Sequence, residues 1–262
     1  MMTFEQIVVE KLSAFDPTLK AARKGASAAV ASGKMLVDGE IKSIPKKLAE
    51  AEDELSRALD GIRAFRQEWP ETGIEDYYGS ENYINELISS LEELGVDVHQ
   101  LDDVMYVYPA LVRLDTNSLS VRIDKKLQPK VRPSALAKIL RDIQSRPSKF
   151  PTGRFLTSIF RVYKALGSRN LRKGEEWAGK SMYLKEIYEM LSAAPGSDYT
   201  EQEFVRDIYL LDASGEELEV RGYMATLEAS SGTRDEKKTL SIITRDGQKR
   251  LYCTIRFDLA AR

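Results

Sequence analysis

The sequence predicts an α+β chain: a helical N-terminal region, a central β-hairpin with flanking helices, and a C-terminal helix and β-hairpin module. Three observations carry this. Apolar residues recur at helical spacing through most of the first 94 positions. Short apolar alternations bounded by Asp, Asn, Ser and Gly clusters appear at 105–123 and again beyond 217. Helical spacing returns at 133–166 and 181–211. The expected division is 1–103, 104–174 and 175–262.

Taken in order, Phe4, Ile7, Val8 and Leu12 follow helical spacing behind a Thr3 cap. Asp16-Pro17 reads as a cap followed by proline at the first helical position, which predicts a second helix through the Ala-rich 21–31 stretch. Gly33 and Gly39 mark its exit. Pro45 opens the next helix, over 45–68. There Leu48, Leu55, Ile62 and Trp69 repeat every seven residues, with Ala51, Ala58 and Phe65 three residues after the first three. This heptad stripe predicts a helical hairpin closed against the 80–94 helix through Tyr83, Leu87 and Leu91. The alternative is a coiled-coil seam with another chain. Gly95 suits the position just past the helix end.

A β-hairpin is expected next. Met105 to Leu114 forms one arm, Asp115-Thr116-Asn117-Ser118 the turn, and Leu119 to Ile123 the other arm. Pro109 predicts an edge or a bulge. Two helices follow. One begins at Pro133-Ser134 and buries Leu136, Ile139, Leu140 and Ile143. The other begins at Thr152, buries Phe155, Leu156, Ile159, Phe160 and Tyr163, and ends at Gly167. Beyond them, Ser181 to Leu191 reads as helix and Pro195-Gly196 as a turn. Thr200-x-x-Glu203 is a capping box ahead of Phe204, Ile208 and Leu211. Strands are expected near 217–229, 238–244 and 249–257, the last two joined by an Asp246-Gly247 turn. Helices followed by hairpins suggest a winged helix in outline. Its would-be recognition helix, 200–211, sets Glu201, Glu203 and Asp207 against Arg206 alone. An acidic helix is poorly suited to the major groove, so such a module is expected to contact protein instead.

Composition narrows the function classes. Cys253 is the only cysteine and His99 the only histidine, so intrachain disulfides, zinc fingers and haem attachment sequences are excluded. Cys253 falls in the alternation 251–257 and reads as a small core residue. No Gly-x-x-x-x-Gly-Lys-Ser/Thr loop occurs, Gly153 stands outside any dinucleotide fingerprint, and no serine sits in a nucleophile elbow. Asp207, Asp212, Glu217 and Glu219 are the only acids arranged for a metal-dependent nuclease, and Arg221 stands where such a site prefers lysine. The expectation is therefore no catalytic residue, no metal and no cofactor. No run nears the ~20 apolar residues that cross a bilayer, and the N-terminus carries no basic leader. A cytoplasmic protein with no membrane partner is expected.

The charge distribution is the strongest functional signal. The chain carries a net −2, yet residues 1–39 hold +1, 40–110 hold −11, 111–174 hold +13 and 175–262 hold −5. The basic segment sets 16 cations against Asp115, Asp124 and Asp142. The candidate contacts are Arg122, Lys125, Lys126, Lys130, Arg132, Lys138, Arg141, Arg146, Lys149, Arg154, Arg161, Lys164, Arg169, Arg172 and Lys173. Arg154 and Arg161, seven apart, share a helix face away from the apolar set, as do Lys138 and Arg141 on the preceding helix. Such a surface binds phosphates by releasing counterions. Phe150, Phe155, Phe160 and Tyr163 interleave with the cations as base-stacking sites would. The last three lie at core spacing, which leaves Phe150 as the exposed candidate.

These features predict a non-catalytic, nucleic-acid-contacting accessory subunit of a larger intracellular assembly, with DNA backbone and other subunits as partners. Two readings compete: a protein-interaction scaffold built on the heptad helix and acidic faces, and a metal-dependent nuclease. The basic segment can also pair internally with the acidic 40–110 part.

Overall fold

The computed structural model describes residues 2–69, 73–147, 149–169, 171, 175–193, 196, 198–228 and 238–260. Its contacts define two compact units. One comprises residues 1–90 with 132–136, the other 91–131 with 137–262. These boundaries do not follow the charge segments.

In the first unit a single helix, α1 (Phe4–Asp38), replaces the two helices expected. Thr3 caps it: the Thr3 hydroxyl accepts the Gln6 N–H, and the Gln6 side chain accepts the Thr3 N–H. Gly39 closes it with a left-handed φ of 76°. The helix runs through Pro17. Proline there removes one backbone bond, and packing along α2 (Ile44–Glu68) holds the rest. So α2 pairs with α1, not with the 80–94 helix. The contact is made by small residues. Gly25, Ala28 and Ser32 of α1 and Ala51 and Ala58 of α2 are buried. A Cβ on Gly25 would meet Leu55 Cγ at 2.7 Å. The close approach leaves the heptad leucines beside the contact, half exposed. Short α3 (Ile74–Tyr78) and α4 (Glu81–Glu93) complete the helices of this region. Phe4 packs edge-on to Tyr83 at 5.5 Å, and Tyr78 lies 4.7 Å from Tyr83. After α4, Gly95 adopts φ 67° and the Val96 N–H reaches back to the Leu91 carbonyl, as the sequence indicates.

The second unit opens with a five-stranded antiparallel meander in place of one hairpin: β1 (His99–Leu101), β2 (Val104–Val107), β3 (Ala110–Asp115), β4 (Ser120–Ile123) and β5 (Lys126–Gln128), in consecutive order. The run 105–114 is two strands. Pro109, after a cis peptide bond, lies in the turn between them rather than on an edge. Proline lacks the N–H a ladder position needs, which suits a turn. Asp102 and Asp124 take positive φ at tight turns, where a short polar side chain is tolerated. Val104, Tyr106 and Leu111 point into the main core, while Met105, Val107, Val112, Val121 and Ile123 are buried on the opposite face.

Two helices follow, α5 (Pro133–Gln144) and α6 (Thr152–Ser168), with Leu136 and Leu140 of α5 and Leu156, Ile159, Phe160 and Tyr163 of α6 buried. The expected 181–191 helix splits. Met182 and Tyr183 form strand β6, and α7 spans Leu184–Ser192. Helix α8 (Glu201–Asp212) carries the foreseen capping box: the Thr200 hydroxyl accepts the Glu203 N–H at 3.2 Å and Glu203 accepts the Thr200 N–H at 2.8 Å. The remaining strands are β7 (Glu219–Val220), β8 (Tyr223–Glu228), β9 (Leu240–Ile243), β10 (Lys249–Tyr252) and β11 (Thr254–Leu259). The single strand expected at 249–257 breaks at Cys253. Before the break β10 pairs with β9; after it β11 pairs with β8 and β6. The C-terminal sheet has the order β6-β11-β8-β7, with β6 beside β11.

Candidate nucleic-acid interface

Helix α6 positions three exposed cations. Its apolar side is fixed in the core, where Phe160 and Tyr163 pack at 5.2 and 4.9 Å from Phe257. Arg154, Arg161 and Lys164 therefore face solvent. No Asp or Glu occurs in 152–168. The intervening residues on that side are small, and the Thr157 and Ser158 hydroxyls fold back to the carbonyls of Gly153 (2.7 Å) and Arg154 (3.1 Å). The cations thus rise from a low surface. Lys164 also lies 5.5 Å over the Trp177 ring, a cation–π contact. Among the described residues, no ion pair holds Arg154, Arg161 or Arg169, and all three are exposed.

Ahead of α6, Lys149 is exposed and Arg146 lines a cleft of about 460 Å³ with Phe150, Thr152, Tyr209 and Arg245. Arg245 escaped the sequence reading because it lies in an acidic segment; the fold sets it at the same cleft as Arg146. Phe150 is not the exposed platform expected. It is half-buried against the core and stacks edge-on to Phe155 at 5.4 Å. Phe155, Phe160 and Tyr163 are core aromatics, as their spacing indicates.

The other candidates are dispersed. Lys138 and Arg141 are exposed on α5, with Arg141 3.6 Å from Asp142. Lys126 and Lys130 are exposed at and after β5. Lys125 is paired with Asp198 at 2.8 Å, which raises the lysine's pKa and lowers the aspartate's. Arg122 is half-buried opposite Arg113 in the β3/β4 register, and Arg113 donates to Thr200 and Gln202 at the start of α8. Arg132 belongs to the first unit and binds Glu5 at 2.6 Å. Arg172 and Lys173 lie outside the described residues.

Helix α8 presents little to solvent; Gln202 is its one fully exposed residue. Its charges are engaged inside the unit. Arg206 binds Asp207 at 2.7 Å and also Asp124 at the β4–β5 turn, while the Tyr199 hydroxyl donates to Asp207 at 2.7 Å. Burial lifts the Asp207 carboxyl above the usual carboxylate range, against the pull of Arg206 and Tyr199. Burial, with Asp207 beside it, also lifts the Tyr199 phenol. Asp212 accepts from Tyr252 and Arg250, both at 2.8 Å. Of the acids that suggested a nuclease, Asp207 and Asp212 are therefore held by separate partners, and Glu217 and Glu219 are exposed. Among the described residues no group of three or more His, Cys, Asp or Glu side chains is placed to hold a metal ion. His99 bonds the Arg245 carbonyl at 3.1 Å, and Cys253 is buried with its thiol toward the Lys238 carbonyl. Among the described residues no helix is long and apolar enough to cross a membrane.

The arrangement defines a class: an α+β protein of two compact units whose second unit displays a carboxylate-free basic helix. Comparison with protein-family models, curated proteins and solved structures gives no match.

Proposed function

We infer that this protein is a non-catalytic accessory subunit that contacts nucleic-acid backbone through the solvent face of α6, extended by Lys149 and Arg146. The observation that carries the reading is a 17-residue helix exposing Arg154, Arg161 and Lys164 with no acidic residue on it, in a chain whose net charge is −2. Cations left without ion pairs on a low surface can approach a phosphate chain and release its counterions. Contacts of this kind position a protein without reading sequence. The reading places the protein in the cytoplasm, in an assembly whose other subunits supply any chemistry.

The test compares two double reversals in the full chain by fluorescence anisotropy at low salt, with labelled duplex and single-stranded DNA. R154E/R161E alters α6; K42E/K46E makes the same change in net charge at exposed positions near the start of α2. The α6 variant is expected to bind at least about tenfold more weakly to every sequence, and the α2 variant within about twofold of the parent. Equal losses in both, or no binding by the parent, contradict the assignment.

A further inference from the structure

The α1/α2 hairpin leaves an apolar face uncovered, and its pattern is self-complementary. Each helix advances about 100° per residue. Relative to the buried line of its helix, the column Leu12, Leu19, Ala26, Gly33 on α1 is rotated in the same sense as the column Leu48, Leu55, Ile62, Trp69 on α2. In an antiparallel pair, rotations in the same sense fall on one side; the α1 column lies further round from the contact line than the α2 column. The register set by Phe15 on Phe65, Thr18 at Gly61 and Gly25 at Leu55 brings the columns alongside. Leu12 then lies level with Trp69, Leu19 with Ile62, Ala26 with Leu55, and Gly33 with Leu48. The α2 column is 42–50% exposed, far above what a covered seam shows.

We propose that a second copy of this chain covers this face, forming a two-fold, antiparallel four-helix bundle. Three features select that occupant. The α1 column tapers from Leu12 and Leu19 to Ala26 and Gly33, where the helix surface is hollow. A Cβ on Gly33 would meet nothing within 4 Å. A two-fold axis crossing the helices between residues 22 and 23 of α1 sets Leu12 over Gly33 of the copy and Leu19 over Ala26: knobs over hollows. The same axis meets α2 beside Leu59, setting Leu48 against Trp69 and Leu55 against Ile62.

The outer column of α2 obeys the same symmetry. Glu52 and Arg66 stand seven residues either side of Leu59, both exposed, and among the described residues neither has an ion pair within the chain. The two-fold brings each Glu52 to the Arg66 of the copy, and Leu59 to its own equivalent. The seven large apolar residues of this face offer on the order of 700 Å² per copy, close to the ~800 Å² per partner of a stable interface.

The full chain is examined by light scattering and sedimentation over about 1–100 µM. A closed dimer is expected. L48E/I62E should raise its dissociation constant at least about 100-fold, while A64R, on the opposite face, leaves it unchanged. L59C should be joined to its equivalent by a short bis-maleimide in high yield, with A64C unjoined; the one native thiol, Cys253, is buried. A monomer throughout the range, an open-ended series of oligomers, a dimer unaffected by L48E/I62E, or no cross-link at 59 overturns the proposal. If L48E/I62E loses its helical circular dichroism, the parent's mass and the cross-link at 59 decide.

Discussion

Two carboxylates tie the first unit together at helix starts. Glu86 on α4 accepts the Phe4 and Glu5 N–H groups at 2.8 and 2.9 Å and the Tyr77 hydroxyl at 3.0 Å. Glu5 in turn accepts the Ser134 N–H at 2.8 Å and the Arg132 guanidinium at 2.6 Å. The first amides of a helix lack internal partners and carry the positive end of its dipole, so a carboxylate is well placed there. Burial pushes the Glu5 carboxyl up, but Ser134 and Arg132 outweigh it and hold its pKa below the ordinary value of 4.5. A depressed carboxylate adds stability that is present above the unfolded pKa and is lost as pH falls through the folded one. E5Q should therefore cost about 1–2 kcal/mol near neutrality, allowing for partial exposure. The cost should shrink as pH drops below about 4. Urea midpoints of parent and variant between neutral and acid pH check this; a gap that does not narrow contradicts it. The two capping boxes were legible because Thr3–Gln6 and Thr200–Glu203 lie three residues apart. Glu5 and Arg132, or Arg206 and Asp124, carry no such local signature, since only the tertiary fold brings them together.

At the scale of elements, the α1/α2 contact turns on missing side chains. Gly61 faces Thr18 so closely that a Cβ there would collide with the threonine hydroxyl, with Cγ2 at 3.0 Å. Glycine to alanine within a helix ordinarily stabilises by roughly 1 kcal/mol. Here the collision should win, because β-branched Thr18 has little room to rotate away. G61A is expected to lower stability by about 1–3 kcal/mol in chemical denaturation, with T18A recovering most of the loss. A stabilised G61A contradicts the close approach. The same packing explains where the sequence reading of the helices stopped. Heptad spacing marked 48, 55, 62 and 69 as one stripe, but spacing does not reveal that Gly25 receives Leu55 and Gly61 receives Thr18, while Ala51 and Ala58 line the close contact. Pro17 reads as a helix start by local rules, and only the length of α2 beside it keeps α1 continuous. Among the strands, turn chemistry at Asp115–Ser118 and Asp246-Gly247 was legible. The sheet switch at Cys253 was not, since strand alternation runs through it unbroken.

Over the whole molecule, counting charge by segment located the basic surplus without showing where it ends up. Part of it is engaged inside the second unit: Asp198 pairs with Lys125, and Arg113 donates to the neutral Thr200 and Gln202 at the start of α8. The exchange also runs the other way, with Arg206 from the acidic segment bound to Asp124 of the basic one. What remains outward is spread over several elements; α6 is the one whose cations stand on a helix without carboxylates, and its solvent face was legible from the seven-residue spacing of Arg154 and Arg161. Arg245 was not, because it lies in a segment of net −5 while its neighbours in space are Arg146 and Tyr209. The claim that this surface meets phosphates is tested most directly by the salt dependence of nucleic-acid affinity. Each phosphate contact contributes about −0.9 to the slope of log K against log salt on duplex DNA and about −0.7 on single strands. The parent chain should show a slope of roughly −3 or steeper on duplex. R154Q/R161Q should flatten it by about two contacts, at unchanged thermal stability. A slope near zero, or a double variant that binds with the parent's slope, would contradict the account.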